Sequence, residues 1–206
     1  MKKIIFLTSF FCMFFGVQAN AAQLKPYLSL KLGASFSEGK ADEGKEDFEH
    51  SLTDIAWGAK IGDSVRAELA FAYRAENKKT TKAQTGSLFY KEKDTVSGWT
   101  FGINGYYDIQ TKTKLKPYVG AGIGLAKMTF DLQINAFDGL DYYWLDESYS
   151  KVSFAWNIGT GFTYEIDNKT ALDIGYRYSD FGSFKKDGVK FEMHANEVMV
   201  GIRYSF

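Results

Sequence analysis

The chain has 206 residues, 25 Lys and Arg against 25 Asp and Glu, 45% hydrophobic and 17% aromatic residues, 20 Gly, 2 Pro and 1 Cys. That length suits one domain rather than two. The charge balance excludes the basic surface that neutralises phosphates, so nucleic acid is not an expected partner, and the apolar content excludes a disordered chain.

The first element is a leader. Lys2 and Lys3 give a positive start, Ile4 to Val17 form an apolar run, and Ala19-Asn20-Ala21 supplies the small residues a signal peptidase reads. The run is too short to span a bilayer as a helix, and Cys12 lies inside it without the small residues a lipidation site needs. Cleavage after Ala21 is expected, leaving residues 22–206 as the domain. That mature segment has no Cys, so neither a disulfide framework nor a metal site built on Cys is expected. Neither a cofactor nor a metal is implied by any other pattern.

After the leader, apolar residues alternate with a period of two in eight stretches. In chain order the apolar faces are Leu28, Leu30, Leu32 and Phe36; Ile55, Trp57, Ala59 and Ile61; Val65, Ala67, Leu69, Phe71 and Tyr73; Trp99, Phe101, Ile103 and Tyr107. They continue with Val119, Ala121, Ile123 and Leu125; Phe154, Trp156, Ile158, Phe162 and Tyr164; Leu172, Ile174, Tyr176 and Tyr178; and Val198, Val200, Ile202, Tyr204 and Phe206. Because successive strand side chains point to opposite sides, each stretch reads as a strand with one apolar face.

The opposite faces carry Gly, Ala, Ser, Thr and Asn. Among them stand Lys31, Lys60, Arg66, Arg74, Arg177 and Arg203 against Glu68, Asp108, Glu165, Asp173 and Glu197. A soluble barrel would present few glycines outward, whereas small residues beside long charged ones suit the narrow interior of a closed eight-stranded barrel. The apolar face then meets lipid. The expected fold is all-β, an eight-stranded antiparallel up-and-down transmembrane barrel.

Aromatics add to this. Phe36, Trp57, Tyr73, Trp99, Trp156 and Tyr178 fall at strand ends beside long connections, and Tyr107, Tyr164 and Phe206 at the other ends. Trp99 and Tyr107 are eight residues apart, which at ~3.3 Å per residue and ~40° tilt spans roughly 20 Å, the separation of two aromatic girdles. Residues 62–64, 110–114 and 167–170 are short turns. Residues 37–53, 75–97, 131–151 and 180–195 are long and polar and read as external loops, and an even strand count puts both ends on the periplasmic side.

Lys116-Pro117-Tyr118-Val119-Gly120-Ala121-Gly122-Ile123-Gly124, Leu172-Asp173-Ile174-Gly175-Tyr176-Arg177-Tyr178 and Val200-Gly201-Ile202-Arg203-Tyr204-Ser205-Phe206 resemble strands of the opacity-type outer-membrane β-barrel family, allied in architecture to the OmpA barrel. The resemblance implies a porin-like surface antigen in the outer membrane of a Gram-negative bacterium, among outer-membrane lipid and lipopolysaccharide. The alternation Val200, Ile202, Tyr204, Phe206 resembles the signal by which the barrel assembly machinery recognises its clients.

Gly120, Gly122 and Gly124 are spaced by two, which makes a column on a strand and not a nucleotide loop. Asn168-Lys169-Thr170 reads as a tight turn. The luminal charges, above all Lys31, Lys60, Arg66, Glu68, Asp173, Arg177, Glu197 and Arg203, read as a salt-bridged plug, with Glu197 and Asp173 paired to Arg177, Arg203 and Arg66; an ion path is the alternative. His50, within Phe48-Glu49-His50-Ser51, and His194, with Asn196 and Glu197, are the histidines an enzyme would need, but no catalytic residue is assigned. The loops add an acidic stretch at 41–49, Arg74, Lys78, Lys79, Lys82, Lys91 and Lys93, and the aromatics Phe137, Tyr142, Tyr143, Trp144 and Tyr149. These features lead to a non-enzymatic, monomeric envelope protein contacting external ligands through four loops, with a small-solute pore or a lipid A-modifying enzyme as alternatives.

Overall fold

Eight strands account for nearly all of the computed structural model, which describes residues 24–41, 44–86, 88–186 and 189–206. The leader read from residues 1–21 lies outside them. The strands are β1 (Leu24–Ala41), β2 (Gly44–Ile61), β3 (Val65–Thr85), β4 (Leu88–Asp108), β5 (Leu115–Phe137), β6 (Tyr142–Glu165), β7 (Thr170–Lys186) and β8 (Val189–Ser205). Each pairs antiparallel with its neighbour, and β8 returns to β1 to close the barrel.

The alternation decides what faces out. Leu28, Leu30 and Leu32 of β1, Ile123 and Leu125 of β5 and Val198, Val200 and Ile202 of β8 are exposed on the outer wall, while Tyr27, Ser29, Lys31, Asp173 and Glu197 on the alternate positions are buried. A wall with an apolar outside and a charged inside is stable only against lipid, where every backbone group must be paired and closure leaves no edge. At Gly62, in the turn between β2 and β3, φ is +63°, a conformation open to glycine at little cost.

The connections read from sequence as loops are largely strand. β3 and β4 run on to Thr85 and Leu88, and β5 and β6 to Phe137 and Tyr142. Their two faces are both polar or mixed, so no period-two signal marks them, yet the register established in the wall continues into them without a break on β4–β5 and β5–β6.

The ring itself does not continue. Pairing of β2 with β3 stops at Leu52 and Arg74, and that of β6 with β7 at Trp156 and Asp180. Above those two seams the wall divides into one sheet of β7, β8, β1 and β2 and another of β3, β4, β5 and β6. Side chains hold the lower part of each seam: Asn77 Nδ2 donates to the Glu49 carbonyl at 2.5 Å, and Ser153 Oγ donates to the Phe181 carbonyl at 2.5 Å.

Candidate functional site: the filled bore and the hairpins above it

Inside the wall the inward rows bring five bases, Lys31, Arg66, Arg74, Arg177 and Arg203, against five acids, Asp54, Glu68, Asp108, Asp173 and Glu197, all buried. Among the described residues the interior of the spanning part is therefore neutral. In low dielectric an unpaired charge is costly, and each of these has a partner.

Glu197 is the hub. Its Oε1 accepts from Arg74 Nη2 at 2.5 Å and its Oε2 from Arg177 Nε at 2.6 Å, while Ser35 and Ser179 hydroxyls donate to the same carboxylate. Arg177 reaches on to Asp54 at 2.8 Å. Nearer the short turns, Arg66 donates to Asp108 through Nε at 2.9 Å and Nη2 at 2.8 Å, the two-pronged geometry that strengthens an Arg–carboxylate pair. Lys31 and the Tyr27 hydroxyl both donate to Glu68, and Arg66 lies over the Tyr106 and Tyr118 rings.

The structure joins Glu197 to Arg177, and brings Asp173 within 3.6 Å of Arg203. It gives Arg66 a different partner from the two acids expected, because Asp108 on the adjacent β4 is nearer to it in register than Glu197 or Asp173. Lys60 stands apart at the short-turn mouth, where it meets Glu165 at 3.5 Å beside Lys116. Asp54 escapes sequence reading because it falls at the end of a polar connection. The inward parity it shares with Gly58 and Lys60 is the signal that could have found it.

Above the charges lies an apolar layer. Phe48, Phe181, Met193 and Ala195 from one sheet pack against Val96, Ala126, Met128 and Ala155 from the other, with Phe130 at the margin. Arg74 joins the two layers, its guanidinium 4.4 Å from the Phe181 ring centroid. A cavity of about 30 Å3 remains between Asp54, Asn104, Asn157 and Arg177, room for one or two waters. Asp54 Oδ1 and Arg177 Nη2 receive no hydrogen bond from the protein there, although Lys31 Nζ stands 4.0 Å from Asp54 Oδ1.

Eight of the nine aromatics singled out in the sequence stand toward one or other end of the wall, while Phe71, Phe101 and Tyr176 also face outward and lie between. Tyr73 and Trp99 stand opposite each other. The Trp156 and Tyr178 rings are 5.7 Å apart, and Phe36 is exposed beyond Leu32. Tyr107, Tyr164 and Phe206 are exposed near the short turns. Trp57 is the exception, because it stands opposite Leu28 and Leu69. It belongs to the middle of the apolar band, since β2 continues upward through outward-facing Thr53 and Ser51. Val200, Ile202 and Tyr204 form one outer row on β8.

His50 and His194 do not converge. His50 is buried beside Phe48, with Nδ1 2.8 Å from the Ala75 carbonyl oxygen. His194 packs its ring on Tyr178, 5.7 Å between centroids, on the outer face, with Glu38 3.9 Å away. The β5–β6 hairpin presents the largest apolar exposure above the wall: Leu140 at 89% and Tyr142 and Trp144 at 79% each.

A ring of eight strands, apolar outside and filled by paired charges inside, defines an outer-membrane barrel protein. The chain belongs to the outer membrane protein beta-barrel domain family, whose model matches residues 7–206. It is 29% identical over 167 residues to the outer membrane protein PagN of Salmonella typhimurium, covering 69% of this chain and 65% of PagN. It is 28% identical over 127 residues to the opacity protein V28 of Neisseria gonorrhoeae, covering 52% of each. The chain thus spans about half to two thirds of the length of these relatives. Among solved structures it resembles Neisserial surface protein A (TM-score 0.54, 22% identity, 88% of this chain and 97% of that one). It also resembles Ail of Yersinia pestis bound to the heparin analogue sucrose octasulfate (TM-score 0.51, 16% identity, 88% and 99%).

Proposed function

We propose that the protein is a non-enzymatic outer-membrane adhesin whose barrel is a closed anchor and whose working surface is the set of hairpins above it. The observation that carries this reading is the filled bore. Five buried bases paired with five buried acids, below an apolar layer, fill the bore with side chains, an interior that does not suit transport. A surface that must engage something outside the cell is what remains, and loops carried on a rigid scaffold are the usual place for it.

The β3–β4 hairpin supplies the chemistry. Lys78, Lys79 and Lys82 stand exposed on β3, with Lys91 and Lys93 across from them on β4. Such a cluster suits a sulfated or otherwise polyanionic glycan, the class of ligand to which the heparin analogue on the Ail barrel belongs. The aromatic tip of β5–β6 adds the kind of exposed anchor that binding surfaces use. The protein works in the outer membrane among lipid and lipopolysaccharide, reached through a leader cleaved after Ala21 and by way of the barrel assembly machinery.

Two measurements test this. Purified protein in planar lipid bilayers is expected to show no ion-conducting steps, and regular steps would restore the pore. Cells expressing the chain are expected to bind heparin-coated beads, with binding lost on deleting residues 78–93 while the folded barrel persists. Equal binding without that hairpin would overturn the glycan reading.

A further inference from the structure

The strands above the seams do not end together. From Trp99, at the outer aromatic level, β4 climbs eleven residues to Leu88, whereas from Phe36 β1 climbs five to Ala41. The β3–β6 sheet therefore stands taller than the β1–β2 hairpin, and a facing surface meets its crest first. Register sets Gln84, Phe89, Phe137 and Tyr142 in one outward row at that crest, and Ala83, Tyr90, Ala136 and Tyr143 in the inward row behind it. Leu88 and Leu140 lie at its top, both exposed.

This crest is apolar on both faces. Across residues 83–90 and 136–145 the only charges are Asp138 and Asp141, and charges of both signs, Lys82, Lys91 and Glu92, begin only at the level of Trp144 and Leu145. Tyr142-Tyr143-Trp144-Leu145 is an unbroken apolar run on one strand, so its side chains alternate between the two faces and all four are exposed. Strands read that way where apolar surroundings cover both sides. A partner protein laid against the sheet would cover one side, whereas the boundary layer of a bilayer can receive the crest end-on. The apex is also held in shape. Asp138 Oδ1 accepts from the Leu140 and Asp141 amides at 2.9 and 2.8 Å, and its Oδ2 accepts from the Tyr143 hydroxyl at 3.1 Å, which leaves Leu140 pointing away from the turn.

We propose that the crest docks end-on into the headgroup layer of a facing neutral bilayer, a phosphatidylcholine surface outside the bacterium. The inference rests on the adhesin reading, in which the hairpins are the working surface, and gives that surface a lipid partner. Tyr and Trp settle at the boundary between water and lipid, and the chain already places Tyr73, Trp99, Trp156 and Tyr178 at that boundary of its own membrane. Attachment of this kind grows with the apolar area buried. Asp138 and Asp141 keep the crest among headgroups, because a carboxylate in hydrocarbon is costly. Aromatic area rather than charge holds the contact, so salt leaves it in place, unlike a contact between lysines and a polyanion.

Fluorescence of the full chain in a Cys12→Ser background, kept folded in an amphipathic polymer, tests the docking. A polarity-sensitive dye on Leu140→Cys is expected to shift to the blue and brighten when phosphatidylcholine vesicles are added, in low salt and in roughly 0.5 M salt alike. The same dye on Gly44→Cys, at the top of the shorter hairpin, is expected to stay unchanged. Tyr142→Ser/Trp144→Ser, carrying the dye at Leu140→Cys, is expected to lose roughly tenfold in vesicle affinity, and a heat-shifted band on a gel shows that it is folded. No response to the vesicles, the result for a crest that fits a protein instead, would overturn the proposal. So would an equal response from Gly44→Cys, undiminished affinity in the serine pair, or release by salt. No polyanion is present here and no phosphatidylcholine vesicle in the heparin-bead assay, so failure of the lipid contact is told apart from failure of the adhesin reading.

Discussion

Glu197 receives Arg74, Arg177, Ser35 and Ser179 at once, so its removal would strand two guanidinium groups in low dielectric. Breaking a buried pair from one side costs about 3–5 kcal/mol. Glu197→Ala is expected to lower the unfolding free energy, read from urea titrations in lipid vesicles, by an amount in that range, and an unchanged value would show that water reaches the bore. His50 stands above the apolar band of β2, and burial, reinforced by the Arg74 guanidinium, holds its pKa below the ordinary value of 6.5 despite the Ala75 carbonyl and the Glu197 carboxylate. The folded state thus binds its proton less readily than the unfolded state, and the stabilisation is present above pH 6.5 and fades as the pH falls below it. Urea midpoints at pH 7 and pH 5 are expected to differ, and His50→Phe to narrow that difference.

At the scale of elements, β4 and β5 approach closely where Gly102 faces Gly124. A Cβ on Gly124 would stand 2.6 Å from Gly102 Cα and nearer still to the Phe101 carbonyl oxygen. Backbone cannot yield there as a flexible side chain would. Gly124→Val is expected to destabilise the barrel by about 1–3 kcal/mol, the usual cost of overpacking, or to prevent closure. Urea unfolding in vesicles, set beside Gly105→Ala, checks it, because a Cβ at Gly105 meets open space. The same scale shows where sequence reading thinned. The wall segments were legible because lipid on one side imposes period two, whereas above the seams neither face meets lipid and the strands of residues 75–97 and 131–151 pass for loops.

For the whole molecule, closure is the property to measure. A ring whose every strand is paired on both sides through the spanning region has no fraying edge, so the folded protein is expected to stay compact in cold detergent. It should then run faster on a denaturing gel than after boiling. A single band unaffected by boiling would remove the closed barrel and everything built on it.

The sequence by itself determined the eight apolar faces, the inward placement of Lys31, Glu68, Arg177 and Glu197, and the sign balance of the interior. A period of two is a local property that needs no knowledge of partners. Only the tertiary structure decided that Arg66 pairs with Asp108, that Asp54 joins the network and that Trp57 sits in mid-band. It alone placed Phe48 and Phe181 with Val96 and Met128 over the bore. Those facts depend on which residues of different strands stand opposite one another, and that register is fixed by closing the ring, a constraint no single segment carries.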